Sequence, residues 1–339
     1  MEKIDIIKSI SERTGGDIYL GVVGAVRTGK STFIKKFIEN LVVPNIEDEY
    51  ERKRCLDEIP QTAQGKTIMT IEPKFVPSTA AKIKVEEFET NIKLVDCVGY
   101  VIPAAKGYED EMGEPRMVKT PWYDEDIPFV EAAEIGTEKV IRDHSTIGIV
   151  VTTDGSIGDI TRNNYIEAEN EVISELKEIG KPFIVLLNSA HPTLPETERL
   201  AEKLKEEHNV PVIPISAETM NEKDVYNILK EALYEFPVLN VKVDIPDWIG
   251  TLNPNHPIKK VYIDQIRECV VEVDKLRDID SINKHFKQCD QIEKAYMSNV
   301  DPAKGEVTIT LTAPNNLYDE VLKEIIGTRV RILPLDLME

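Results

Sequence analysis

Nine residues, Gly24-Ala25-Val26-Arg27-Thr28-Gly29-Lys30-Ser31-Thr32, constrain this chain more than any other stretch. They follow the apolar run Ile18–Val23 and precede the helical pattern Thr32-Phe33-Ile34-Lys35-Lys36-Phe37-Ile38. Strand, glycine loop and helix, with Gly-x-x-x-x-Gly-Lys-Ser in the loop, form a phosphate-binding P-loop in the context it requires. Glycine lets the backbone turn its N–H groups inward around an anion, and the helix start adds the positive end of its dipole. The pattern predicts that Gly24, Ala25, Thr28, Gly29 and Thr32 line the phosphates, with Arg27 in the same loop either stabilising transition-state charge or pointing to solvent. Lys30 is expected to reach the β- and γ-phosphates and Ser31 to ligate Mg²⁺. The implied ligand is a nucleoside triphosphate.

A second motif supports the first. The strand Leu94-Val95 ends in Asp96-Cys97-Val98-Gly99, an Asp-x-x-Gly sequence roughly 65 residues beyond the P-loop. At a strand end, Asp96 is placed to hold Mg²⁺ through a water and the Gly99 amide to meet the γ-phosphate. Between the two motifs, Pro44–Gln64 is charged, with a helix expected over Asp48–Ile59. Gly65–Phe75 then enters a β-rich strip, and Ile83, Val85 and Phe88 with Ile92, Leu94 and Val95 suggest a hairpin. Residues 1–16 read as a short helix ending at Gly15-Gly16.

Residues 100–135 carry several prolines and glycines, many acids and the pair Trp122-Tyr123. An insertion of this length is usually functional or mobile. A helix is expected over Val130–Arg142 and a strand over Ile147–Thr153, ending in Asp154, which either supports a ligand-binding neighbour or forms a turn. Further helices follow over Tyr165–Ile179, Glu196–Glu207 and Asp224–Tyr234, with strands over Pro182–Asn188 and Val212–Ser216. Repeated β-α-β units argue for a mostly parallel sheet covered on both faces, an α/β fold, in a first domain spanning residues 1–237. Beyond it the pattern becomes α+β over 238–339. There a strand is expected over Val238–Ile245 and a long helix carries Ile263, Ile266, Val270, Val273 and Leu276. Val307, Ile309 and Leu311 alternate as a strand, and a helix over Leu317–Ile326 is stopped by Gly327.

The net charge of −20 repels phosphate backbones and anionic lipid, which excludes nucleic acid as a general partner and makes any membrane contact indirect. Cys55, Cys97, Cys269 and Cys289 are widely spaced and read as reduced thiols of a cytosolic protein. No cleavable signal and no membrane-spanning apolar run is present. His256, His285 and Cys289 lack the companion ligands that a metal site needs.

The order of motifs fits P-loop proteins of the translation-factor-like class. GTPases of that class carry Asn-Lys-x-Asp, whose aspartate accepts both guanine N–H groups. Here the corresponding strand ends Asn188-Ser189-Ala190-His191. Without the carboxylate, each unpaired buried guanine donor costs about 1–3 kcal/mol. With Asn188 and the fifth motif Ser216-Ala217 kept near the base, ATP becomes the expected fuel.

Gly21–Thr32, together with Gly65-Lys66-Thr67-Ile68-Met69-Thr70 and Glu72-Pro73-Lys74-Phe75-Val76-Pro77, resembles the bacterial stage IV sporulation protein A family. Ala105–Glu111, Thr120-Pro121-Trp122-Tyr123 and Glu231–Leu239 extend the match over essentially the whole chain. The resemblance implies a slow, Mg²⁺-dependent ATPase whose hydrolysis drives irreversible self-assembly into a homopolymer. That polymer is the basement layer of the spore coat, on the outer forespore surface in the mother-cell cytoplasm. It implies as partners the membrane peptide stage V sporulation protein M and other coat morphogenetic proteins, engaged through a C-terminal region expected beyond residue 339. It casts Lys30 as the phosphate-binding lysine, Asp96 as the Walker B acid, and Thr70, or else Thr67, as the γ-phosphate sensor and metal ligand. Tyr100 stands where related GTPases often carry a water-positioning glutamine, so no residue is marked for that task. Two alternatives remain: a GTP-binding switch, and a scaffold with a vestigial site.

Overall fold

The computed structural model describes residues 17–59, 73–85, 88–105, 107–109, 113–270, 273–278, 286, 289–301 and 305–336. The chain divides into two compact units, Met1–Phe236 and Pro237–Glu339.

The first unit is built on a six-stranded sheet. Its strands are β1 (Ile18–Val23), β2 (Lys74–Val85), β3 (Phe88–Asp96), β6 (Ile147–Thr153), β7 (Phe183–Asn188) and β8 (Val212–Ile215), while β4 (Met117–Val118) and β5 (Ile127–Pro128) form a separate two-stranded ribbon. The order across the sheet is β2-β3-β1-β6-β7-β8, and only β2 runs antiparallel to its neighbour. Every residue of β6 and β7 is buried, the continuous apolar reading expected of parallel strands covered on both faces.

The connecting helices are α1 (Lys30–Phe37), α2 (Glu49–Glu58), α3 (Phe129–Lys139), α4 (Ile166–Ile179), α5 (Pro195–His208) and α6 (Glu222–Tyr234). On one face of the sheet Val23, Val95, Val150 and Val185 pack with Val172, Ile173 and Leu176 of α4 and with Val140 and Ile141, which lie in a π-helical turn after α3. By strand alternation Leu20 and Val22 point to the opposite face, where α1 and α6 lie. Gly180 stops α4 in the left-handed conformation, and Asn221 opens α6 through a reciprocal capping box with Asp224.

Register sets what the sheet can hold. Val22 lies beside Asp96, Val23 beside Val150, Thr153 beside Asn188, and Asn188 beside Ile215. All the motif-bearing strand ends therefore reach one edge of the sheet. The chain leaves β1 toward β3 and β2, then returns past β1 to β6, so the P-loop sits where strand order reverses. Open α/β sheets bind ligands at that point.

The second unit carries β9 (Asn240–Asp244), β10 (Lys294–Asp301) and β11 (Glu306–Thr312) in the order β10-β11-β9, with α7 (Asp247–Thr251), α8 (Pro257–Val270) and α9 (Asn315–Asp336). Val307, Ile309 and Leu311 of β11 are buried in alternation. Two expectations are corrected here. The long helix does not reach Leu276, which lies in a separate short 3₁₀ turn, Leu276–Asp278. Nor does Gly327 stop α9: an added Cβ there meets nothing within 4 Å, and the helix continues to Asp336. An isolated glycine lowers helix stability by about 1 kcal/mol without ending the helix. Strand β10 and the short helix α7 were not anticipated from sequence.

The helix expected over residues 1–16 and the segment containing Thr67 and Thr70 lie outside the described residues, as does His285.

Candidate functional site

The P-loop turns on backbone conformations that most side chains resist. Gly29 has φ 93°, and a Cβ added there would stand 2.2 Å from Nδ2 of Asn188. Arg27 itself adopts φ 63° and is exposed. The hydroxyl of Thr28 closes the loop by donating to the Ala25 carbonyl at 3.0 Å. Helix α1 begins at Lys30, so the first-turn amides, including those of Ser31 and Thr32, have no helical carbonyl before them and face the loop.

Lys30 is only 5% exposed, and burial pulls its pKa below the ordinary lysine value against the opposing charges of Cys97 and Asp96. Its ammonium donates to the carbonyls of Ala25 at 2.7 Å and Gly24 at 3.2 Å. Among the described residues no carboxylate reaches ion-pair distance of that ammonium, although Asp96 lies close enough to act on it electrostatically.

Asp96 is buried, and that desolvation pushes its carboxyl up to about 6, offset in part by Lys30. Its Oδ2 lies 3.5 Å from the Ser31 hydroxyl, while Oδ1 is buried with no hydrogen-bond partner. A hydroxyl and a half-satisfied carboxylate at a helix start suit a hard dication. Among the described residues no group of three or more His, Cys, Asp or Glu is placed to hold a metal.

Gly99 closes the phosphate end. Its φ is 90°, and a Cβ there would lie 2.1 Å from the Gly24 carbonyl and 2.4 Å from Nζ of Lys30. Gly99→Ala is expected to weaken binding of a fluorescent nucleotide by at least roughly tenfold with the circular dichroism spectrum retained. Unchanged affinity would show that this close approach is dispensable.

Tyr100 turns away from the phosphate site. Its hydroxyl donates to Glu175 of α4 at 2.7 Å, and its backbone bonds the P-loop twice: the amide to Gly24 at 3.2 Å and the carbonyl from the Val26 amide at 2.8 Å.

On the base side, Asn188 uses both ends of its amide. Nδ2 donates to the Thr28 carbonyl at 2.9 Å, and Oδ1 accepts from the Ala217 amide at 3.0 Å. Asn188 thereby ties the P-loop to the loop after β8, bringing Ser216 and Ala217 alongside. Ser189, fully buried, meets Ser156 Oγ at 3.3 Å and accepts from the His191 amide, while the His191 side chain stands exposed. Asp154 is a turn former: it accepts from the Ser156 amide and hydroxyl and from Thr197.

Sequence reading missed the ion pair of Arg162 and Glu169. Arg162 bonds both carboxylate oxygens, at 2.7 and 2.5 Å, and also Thr152 Oγ1, pinning the end of β6 to α4. Lying three, four and seven residues before Val172, Ile173 and Leu176, Glu169 falls on the buried face of α4, where a carboxylate needs a partner; that acid on an apolar helix face was the available signal.

The comparisons with known proteins agree with this geometry. Residues 1–237 match the family model of the stage IV sporulation protein A ATPase domain, and residues 238–334 match that of its middle domain. Stage IV sporulation protein A of Bacillus anthracis and that of Bacillus subtilis are each 57% identical over 332 residues, covering 98% of this chain and 67% of the relative. The Clostridioides difficile protein of the same name is 46% identical over 327 residues, covering 96% of this chain and 66% of its own length. No helix among the described residues is long and apolar enough to cross a membrane. This chain therefore belongs to the stage IV sporulation protein A family, and it is a sporulation protein with an ATPase domain.

Proposed function

We propose that this chain binds Mg²⁺ and ATP at the P-loop, hydrolyses ATP slowly, and couples that turnover to its own assembly as the basement layer of the spore coat. The observation that carries the reading is the partnerless Oδ1 of Asp96 beside Ser31, the residue after a buried lysine whose hydrogen bonds among the described residues go to carbonyls. Lys30 exchanges the Ala25 and Gly24 carbonyls for phosphate oxygens. The Gly99 amide and the first amides of α1 hold the same oxygens and orient them. Ser31 and Asp96 would hold Mg²⁺, which when bound would supply neutralisation of charge on the phosphates. Thr70 is proposed as the sensor that completes the metal's surroundings.

Adenine is favoured by the base side. The position that would pair guanine carries His191, which is exposed, and the nearby carboxylate of Asp154 already accepts from Ser156 and Thr197. The sheet order, with one antiparallel edge strand, and the Asn188 bridge support kinship with translation-factor-like P-loop proteins. The same bridge is what favours the alternative, a GTP-binding switch. We assign residues 1–237 as the catalytic domain and 238–339 as an α+β middle domain. Stage V sporulation protein M and further coat morphogenetic proteins are the proposed partners, met in the mother cell at the outer forespore surface.

The test is hydrolysis of ATP and GTP side by side, with sedimentation of the products. ATP is expected to turn over at least roughly tenfold faster than GTP, because two guanine donors would go unpaired. EDTA should abolish both turnover and the ATP-dependent pellet. A preference for GTP would sink the ATP reading, and hydrolysis without any pellet would sink the coupling to assembly.

A further inference from the structure

A groove of about 620 Å³ opens in the second unit, at the C-terminal ends of the parallel strands β9 and β11. That volume lies within the range of small-ligand sites. It is walled by Trp248 of α7 and Tyr318 of α9, whose rings stand edge to face with centroids 5.5 Å apart, and by Pro314. Asp244 and Asp247 also line it, both exposed, and no basic residue does. Aromatic faces beside carboxylates attract a cation twice over, through the ring quadrupole and through charge.

The chain's own nearby lysines are engaged elsewhere. Lys242 pairs with Glu306 at 2.9 Å, and Lys259 donates to the carbonyls of Gly250 at 2.6 Å and Leu252 at 3.0 Å. Neither Asp244 nor Asp247 has a cationic partner among the described residues. The cation that suits the groove therefore comes from another molecule.

The sheet indicates what kind of molecule presents it. Strand β9 is an edge: among the described residues it pairs only with β11, its side chains are exposed or half-buried, and no strand pairs with its other side. Its last residue, Asp244, lies in the groove lining. An extended chain pairing with β9 would carry a side chain into the groove, the mode in which backbone bonds give affinity and a pocket gives specificity.

We infer that this groove is a docking site for an extended protein segment carrying an arginine or lysine, which adds to the β9 edge and places its cationic side chain against the paired rings of Trp248 and Tyr318 and beside Asp244 and Asp247. The site is independent of the nucleotide reading, because every residue in it belongs to the second unit.

The chain has two tryptophans, so Trp122→Phe leaves Trp248 as the sole indole reporter. The full chain with that substitution is titrated with the pentapeptide acetyl-Ala-Val-Arg-Val-Ala-amide and with its glutamate counterpart. The arginine peptide is expected to change Trp248 emission saturably, with affinity falling as salt rises, and the glutamate peptide to leave it flat. Asp247→Asn and Asp244→Asn should each weaken the arginine peptide by roughly three- to tenfold, and Tyr318→Ala by more than Tyr318→Phe. Calorimetry on the unsubstituted chain should return the same affinity. An unsaturable response up to millimolar peptide, or equal responses to the two peptides, overturns the inference. So does an Asp247→Asn, Asp244→Asn protein that stays folded and binds arginine peptide as tightly as before.

Discussion

Replacing Lys30 with alanine is expected to slow ATP hydrolysis about a thousandfold while leaving the nucleotide-free protein folded. The loss follows from removing a buried cation at the proposed phosphate site, a preorganised charge that is only 5% exposed. The fold survives because both carbonyls that Lys30 contacts keep another donor. Gly24 retains the Tyr100 amide at 3.2 Å, and Ala25 retains the Thr28 hydroxyl at 3.0 Å. Burial already disfavours the charged lysine, so its removal also relieves a desolvation cost. Thermal unfolding separates the two effects. At a hundredfold excess over Kd, a ligand adds about 2.7 kcal/mol. For a unit of this size that raises Tm by roughly 5–10 °C. Wild type should show that rise with Mg²⁺ and ATP, and Lys30→Ala should show almost none at the same concentrations. A variant that keeps both the turnover and the shift would remove Lys30 from the mechanism.

Glu169→Ala is expected to be the most damaging single change to stability outside the core, at about 3–5 kcal/mol. Glu169 is 3% exposed and gives both its oxygens to Arg162, whose side chain is itself only 16% exposed. Truncation leaves the guanidinium with the Thr152 hydroxyl and the Thr153 carbonyl, at 3.0 and 3.3 Å, as its remaining acceptors among the described residues. The pair is weak evidence for net stability, since a well-packed apolar replacement can do as well; it is the broken pair that is costly. Glu169→Gln should therefore lose less than Glu169→Ala, and the double change Arg162→Met, Glu169→Leu should recover much of the loss. Urea unfolding measures all three. A Glu169→Ala protein within about 0.5 kcal/mol of wild type would show that Arg162 finds solvent instead.

The parts that could be read from sequence are those whose physics is local. Gly29-Lys30-Ser31 announces its own geometry because a left-handed glycine, a helix start and a cation must follow one another in the chain. Asp96 was legible because an apolar strand must end where its charge begins. The helices from α4 to α6 were legible through their three- and four-residue spacing and their stops. Long-range pairing was not. Tyr100 finds Glu175 across 75 positions, and Asn188 spends its amide on Thr28 and Ala217, at separations of 160 and 29. Nothing near Tyr100 or Asn188 in sequence signals those partners. Strand β10, Lys-Ala-Tyr-Met-Ser-Asn-Val-Asp, mixes polar and apolar residues without clean alternation, and its register against β11 shifts between Met297 and Asn299. Gly327 misled because a glycine ends a helix only where the chain needs a left-handed turn or loses its packing.

Tyr100 has a mechanical consequence. Its amide, its carbonyl and its hydroxyl are each fastened, two to the loop that surrounds the phosphates and one to α4. A segment riveted at three points cannot swing as a flap when the terminal phosphate leaves. Through Tyr100 the loop that carries Gly99 is joined to α4, so the position of that helix and the shape of the P-loop are fixed together.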